Sequence, residues 1–174
     1  LLALIVRGVA FEFRNRDKNP GWRSFWDGCI FVGSFIPALL FSVAFANILR
    51  GVPIDENMNY VGGFFNLLNP YALLAGIASL LTFSLHGAIF LNLKTSGDLM
   101  DKAHRFALSL WVPTLILLLG LWLSTYFSIG FSGKLGIYQV LISVLGIIAI
   151  LLCGLFLRKN MSRWAFGMTA ITIM

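Results

Sequence analysis

The sequence predicts an all-α fold: a polytopic bundle of transmembrane helices. Composition is the first reason, since 59% of the residues are hydrophobic and only 11% are charged, against roughly 25% charged in soluble domains. The second is the length of the apolar runs, far longer than strands and without period-two alternation. The third is the distribution of Lys and Arg, which alternates between successive connections. At 174 residues the chain is long enough for one domain, here 1–174. Leu1 and Met174 both fall within apolar runs, so the chain is expected to continue at both ends.

A bilayer-crossing helix needs about 20 mostly apolar residues, because each adds about 1.5 Å across a hydrocarbon core of roughly 30 Å. Four complete spans meet that requirement, at 24–49, 70–93, 106–128 and 135–157, and partial spans lie at 1–6 and 164–174. The first connection holds Arg7, Arg14, Arg16, Lys18 and Arg23, the third Lys94, Lys102 and Arg105, and the fifth Arg158, Lys159 and Arg163. The second and fourth hold only Arg50 and Lys134. Basic residues concentrate on cytoplasmic loops, so loops 7–23, 94–105 and 158–163 are expected to be cytoplasmic. The formal charge of +6 is thus split among loops rather than gathered into one patch, which argues against a nucleic-acid partner.

Local chemistry supports these boundaries. Ser24 with Asp27 three residues later reads as a capping box before an apolar run. Asn69 followed by Pro70 reads as an N-cap with proline at the first helical position. Trp22, Trp26, Trp111 and Trp164 are expected near the cytoplasmic interface, and Tyr60, Tyr71 and Tyr126 near the outer one. Pro37 lies inside a span, where neighbouring groups satisfy the carbonyl it frees. Ala72 and Gly76 form a small-xxx-small pair suited to close helix contact. Gly62 and Gly63 read as a turn in the outer loop. Cys29 and Cys153, in separate spans, read as small apolar packing residues.

Ionisable residues inside a membrane are costly and are functional candidates by default. His86 lies in the cytoplasmic third of its span. A haem ligand or proton relay is the sharper reading. No second His stands at ligand spacing, so a neutral imidazole bonded to a neighbouring helix is the expectation. His104 falls in a predicted loop and is expected to be solvated. Asp27, one turn into its predicted helix, and Glu12, at the cytoplasmic end of the first partial helix, are candidates for a proton path. Arg7 and Arg14 flank Glu12, and arginines beside a carboxylate hold it ionised; a surface ion pair is the commoner outcome of such a pattern. No phosphate-binding loop, dinucleotide fingerprint, nucleophile elbow or zinc spacing occurs.

Several blocks carry a family resemblance. They are the octet from Arg7 through Gly8, Val9, Ala10, Phe11, Glu12 and Phe13 to Arg14; Trp26 with Asp27, then Gly33 to Pro37; Gly51, Val52 and Pro53, with Phe64, Phe65, Leu68, Asn69 and Pro70 beyond; Leu74, Ala75 and Gly76; and Gly87 and Ala88 with Lys94, Thr95 and Gly97. In this order they make the chain resemble the second subunit of cytochrome bd-type quinol oxidases. Beyond Arg105 only apolar spans and basic loops continue the likeness. The resemblance implies part of an eight-helix subunit in a bacterial inner membrane, paired with a larger subunit that binds b-type and d-type haem. It implies a complex that oxidises quinol, reduces dioxygen to water and draws protons from the cytoplasm, with no haem ligand on this subunit. It also implies that Glu12, replacing a shorter aspartate of some relatives, and Arg7 lie on a cytoplasmic proton path. Some members carry glutamine at the position of His86.

Two other classes compete. A secondary transporter favours charged residues at the bilayer midplane, and the central thirds of the four complete spans contain no Asp, Glu, Lys or Arg. A purely structural or assembly subunit fits the composition as well as an oxidase subunit does.

Overall fold

The computed structural model describes residues 1–129 and 137–174. Six α-helices follow in order: α1 (Leu2–Phe13), α2 (Pro20–Arg50), α3 (Pro70–Lys94), α4 (Asp98–Ile129), α5 (Ile137–Arg158) and α6 (Ser162–Ile173), with a short 3-10 helix at Phe64–Leu68 before α3. Helices α2 to α5 are long and apolar enough to cross a membrane. Even the 22 residues of α5 extend about 33 Å at 1.5 Å per residue. Among the described residues the one β-type pairing is an isolated antiparallel bridge between Ile54 and Tyr60 in the loop after α2. The start of the predicted 135–157 span and Lys134 lie outside the described residues.

Sequence and structure differ at several helix boundaries. Helix α2 begins at Pro20 rather than Ser24, because Asn19 accepts a hydrogen bond from the Gly21 amide (2.9 Å) and Pro20 takes the first position. The Ser24–Asp27 capping box is therefore not formed, and both residues lie inside the helix. Helix α1 runs on to Phe13, so Arg7 and Glu12 are helical rather than in a loop. Helix α4 begins at Asp98 rather than 106, with Asp98 and Asp101 in its first turn, where carboxylates complement the helix dipole. Gly97, at φ +68°, makes the turn into it, and the predicted 94–105 loop shrinks to three residues. His104 is consequently on a helix and half-buried. The Asn69–Pro70 start holds, with Asn69 Oδ1 accepting from the Ala72 amide at 2.9 Å. Helix α2 passes through Pro37 without a break.

Helices α3, α4, α5 and α6 close a ring of neighbours, α3 touching α4 and α6, and α5 touching the same two; the α1–α2 pair attaches to this ring through α2 and α3. Inside the ring Leu85, Ala88 and Ile89 of α3 pack with Ala107, Ile150, Cys153, Leu157 and Ala165. At the α2–α3 seam Val43 and Ala46 meet Ala72 and Ala75. Small residues dominate both seams because lipid provides no hydrophobic drive between helices, leaving close van der Waals packing and hydrogen bonds to join them. Gly76 fits this pattern: a Cβ there would stand 3.0 Å from Leu39 Cδ1 and from Val43 Cγ2. Both cysteines are free thiols, and Cys153 is buried in the ring.

Polar pins secure the ends. Asn47, buried in α2, donates through Nδ2 to Val43 O (2.9 Å) and Leu67 O (2.7 Å), and accepts from Asn69 Nδ2 at 2.7 Å. This clasps the loop between α2 and α3 onto the start of α3. Tyr71 and Thr125 share a hydrogen bond at 3.1 Å, joining α3 to α4. Towards the basic end, Trp111 donates to Ile150 O at 2.8 Å and lies under the Arg158 guanidinium.

Candidate functional site

Glu12 and Asp27 lie near the turn from α1 into α2, and Arg7 stands at mid-α1 with its Cβ opposite Gly33 of α2. The turn is closed by local bonds: Asp17 accepts from the Asn19 amide at 3.0 Å, and Trp22 Nε1 donates to Phe13 O at 2.8 Å. The latter satisfies one of the carbonyls left open at the end of α1. Phe13, Trp22 and Phe25 surround Trp26, with ring centroids 5.2–5.7 Å away. The Trp26 indole N–H is buried within this cluster without a partner among the described residues.

Close approach of the two helices depends on Gly33. A Cβ at that position would lie 2.7 Å from Ala3 O and 2.8 Å from Arg7 Cβ, so only glycine lets α1 lie this near. The sequence marked Gly33 as part of a recognisable block but did not reveal its packing role.

The electrostatics differ from the flanking pattern read in the sequence. Arg14 does not hold Glu12. It donates from Nε to Asp27 Oδ1 and from Nη2 to Asp27 Oδ2 (3.3 Å), a two-point ion pair across the turn. The hydrogen bond to Asp27 raises the Arg14 guanidinium above its ordinary range. Arg7 faces the Phe11 ring, 5.7 Å from its centroid. Glu12 is exposed and forms no ion pair among the described residues. Near the turn Asp27 is thus latched and Glu12 open, and Arg7 stands farther along α1.

His86 lies apart, on the face of α3 that meets α6. Its Nδ1 is 2.8 Å from Thr169 Oγ1, and its ring stacks on Phe166 at 4.4 Å. The Thr169 hydroxyl gives its proton to Phe166 O at 2.9 Å, so Nδ1 must be the donor to Thr169 and Nε2 carries the lone pair. This is the helix-to-helix hydrogen bond expected of a neutral imidazole. Among the described residues no three His, Cys, Asp or Glu side chains come together to hold a metal ion.

A second polar cluster, missed in the sequence, lies at the basic end of α3, α4 and α6. Asn92 is 8% exposed; its Nδ2 donates to Ser162 Oγ at 2.7 Å and meets His104 Nδ1 at 3.2 Å. His104 is therefore a partnered helix residue rather than a solvated loop residue. The three positions are 12 and 70 residues apart along the chain, and no local signal links them.

The family described as cytochrome bd terminal oxidase subunit II matches residues 1–174, continuing past Arg105, beyond which the sequence alone offered only apolar spans and basic loops. Among curated relatives, a probable cytochrome oxidase subunit 2 of Haemophilus influenzae is 46% identical over 71% of this chain and 34% of its own length. The cytochrome bd ubiquinol oxidase subunit 2 of Bacillus subtilis is 34% identical over 97% of this chain and 50% of its own. The cytochrome bd-I ubiquinol oxidase subunit 2 of Escherichia coli K12 is 41% identical over 70% and 34%. The matched stretch spans a third to a half of each relative. With its helical architecture and its membrane-length helices, the chain belongs to the cytochrome bd terminal oxidase subunit II family.

Proposed function

We propose that the protein containing this chain works as subunit II of a terminal quinol oxidase, in a complex that couples quinol oxidation to reduction of dioxygen to water. The observation that carries this reading is the family match along the whole chain. In the complex, b-type and d-type haem, held by a larger subunit I, supply the electron transfer. This chain contributes an apolar helical scaffold for that partner in the bacterial inner membrane, with the basic ends of its helices facing the cytoplasm. A bundle without charged side chains at its midplane also lets dioxygen approach laterally through lipid and protein.

The chain's own chemistry is proton handling at the α1–α2 turn. Glu12 stands exposed beside a run of basic residues, where it can exchange protons with water on the basic side. Arg7, about one and a half turns earlier on α1, adds a further positive charge to the same helix. Asp27 supports a second, structural reading, because the Arg14 ion pair ties the end of α1 to the start of α2.

Three experiments test these readings. A dithionite-reduced minus air-oxidised spectrum of the purified membrane complex should show b-type and d-type haem bands; an intact complex without them sinks the oxidase assignment. Glu12→Gln should slow proton uptake coupled to quinol oxidation while leaving the spectrum unchanged. Asp27→Asn should lower thermal stability more than Glu12→Gln does. Unchanged proton uptake in Glu12→Gln would remove this carboxylate from the path.

A further inference from the structure

The polar cluster at the basic end of α3, α4 and α6 forms the floor of an open groove of about 640 Å³. Its walls bring together two opposite charges, Asp101 from α4 and Arg163 from α6. Both are exposed, and neither forms an ion pair with the other or with another described residue. Opposite charges lining one cavity without meeting leave room for a ligand that carries both signs. The floor is cross-linked, since buried Asn92 ties His104 to Ser162. With Asn92 Nδ2 as the donor, His104 Nδ1 accepts and the ring proton sits on Nε2. The first turn of the twelve-residue α6, at the same wall, has no side-chain cap. Leu93, Met100 and Met161 add an apolar border.

We infer that this groove binds the headgroup of a zwitterionic glycerophospholipid bearing a primary ammonium, of the phosphatidylethanolamine type. The phosphate lies towards Arg163 and the uncapped turn of α6, where a guanidinium and free amides both favour an anion. The ammonium lies towards the Asp101 carboxylate, and the glycerol and first methylenes lie along Leu93, Met100 and Met161. Asp101 is the discriminating residue, because a purely anionic headgroup gains at Arg163 but is repelled at Asp101. The level is right for a headgroup: Trp164 borders the groove, and indoles favour the membrane–water interface. Lys94, Arg158 and Lys159 end the flanking helices close by in sequence.

The test uses the full-length protein in its purified complex. It is stripped of lipid in detergent, then titrated with mixed micelles containing dioleoylphosphatidylethanolamine or dioleoylphosphatidylglycerol. Retained lipid is read by native mass spectrometry. The wild type should keep the ethanolamine lipid in preference to the glycerol lipid. Asp101→Asn should reduce that preference by roughly tenfold, about what one charge-assisted hydrogen bond sustains, and leave glycerol-lipid retention equal or higher. Arg163→Gln should lower retention of both lipids, and Arg163→Lys should restore much of it. Lys18→Gln, at the α1–α2 turn, should change nothing, and thermal unfolding checks that each variant is folded. Equal retention of the two lipids by the wild type, or an unchanged preference in folded Asp101→Asn, would overturn the assignment. Displacement of the lipid by millimolar inorganic phosphate alone would overturn it too, by showing a simple anion site.

Discussion

Replacing Gly33 by alanine tests whether α1 is held against α2 by backbone contact. The added Cβ would stand 2.7 Å from Ala3 O, 2.8 Å from Arg7 Cβ and 3.2 Å from Arg7 Cα, whereas ordinary contact begins near 3.4 Å. The nearest obstacle is a backbone oxygen, which cannot swing aside, so α1 must retreat locally by about 0.7 Å, the difference between the ordinary and the imposed distance. Overpacking of this kind costs about 1–3 kcal/mol, offset by up to about 1 kcal/mol from better helix propensity. Gly28, on the same helix, provides the control: its Cβ would meet nothing within 4 Å, so Gly28→Ala keeps the propensity gain alone. The two variants should therefore differ by about 1–3 kcal/mol, the overpacking term itself, with Gly33→Ala the less stable. Thermal unfolding of the full-length protein in detergent, followed by tryptophan fluorescence, reads the order. A Gly33→Ala variant as stable as Gly28→Ala would refute the close-contact argument.

Asn47→Ala removes the acceptor of Asn69 Nδ2 and the donor to Leu67 O. At about 0.5–1.5 kcal/mol for each half-buried hydrogen bond lost, it should destabilise the loop between α2 and α3 and speed chymotrypsin cleavage at the exposed Phe64 and Phe65; unchanged cleavage would count against the clasp. Thr169→Val strands the His86 Nδ1 proton and should cost about 0.6–1.7 kcal/mol, the range measured for interhelical hydrogen bonds in membranes, in a thermal unfolding comparison with wild type. His86→Gln, which keeps a donor for Thr169, should cost less than His86→Leu in the same assay. Gly76→Val should lower the melting temperature more than Gly76→Ala, because one methyl meets only the movable tips of Leu39 and Val43 before it reaches Leu39 O at 3.3 Å.

The helices were readable because membrane thickness imposes a long apolar run, a one-dimensional signal. Asn69 and Pro70 were equally local and marked the start of α3 correctly. Ser24 misled because a capping pattern is common, whereas Asn19 with Pro20 stood four residues earlier at the real start. The predicted third span began late because Asp98, Asp101, Lys102 and Arg105 lower hydropathy without preventing a helix, so α4 runs on into the polar region. Partners were harder to see. Arg14 is two residues from Glu12 but bonds Asp27, thirteen residues away across the turn, and Asn92 meets Ser162 seventy residues on. Such pairings are set by how helices pack, and sequence spacing on one helix does not contain them.

That packing separates the chain into two parts with different demands. In the α3–α6 ring, each seam has either a hydrogen bond or a buried cluster of small and branched residues, as helices in lipid require. The α1–α2 pair has its own close contact at Gly33 and its own latch at Arg14 and Asp27, and it meets the ring along the seam containing Ala72, Ala75 and Gly76. Neither that seam nor the latch contains Glu12, so the carboxylate open to the basic side is not needed to hold the helices together. A side chain that is free of structural duty can gain or lose a proton without loosening the fold. Asp27 cannot do so at the same cost, because protonating it would release Arg14. On the reading proposed above, the two carboxylates do different work: Asp27 pairs with Arg14 across the turn, and exposed Glu12 exchanges the proton.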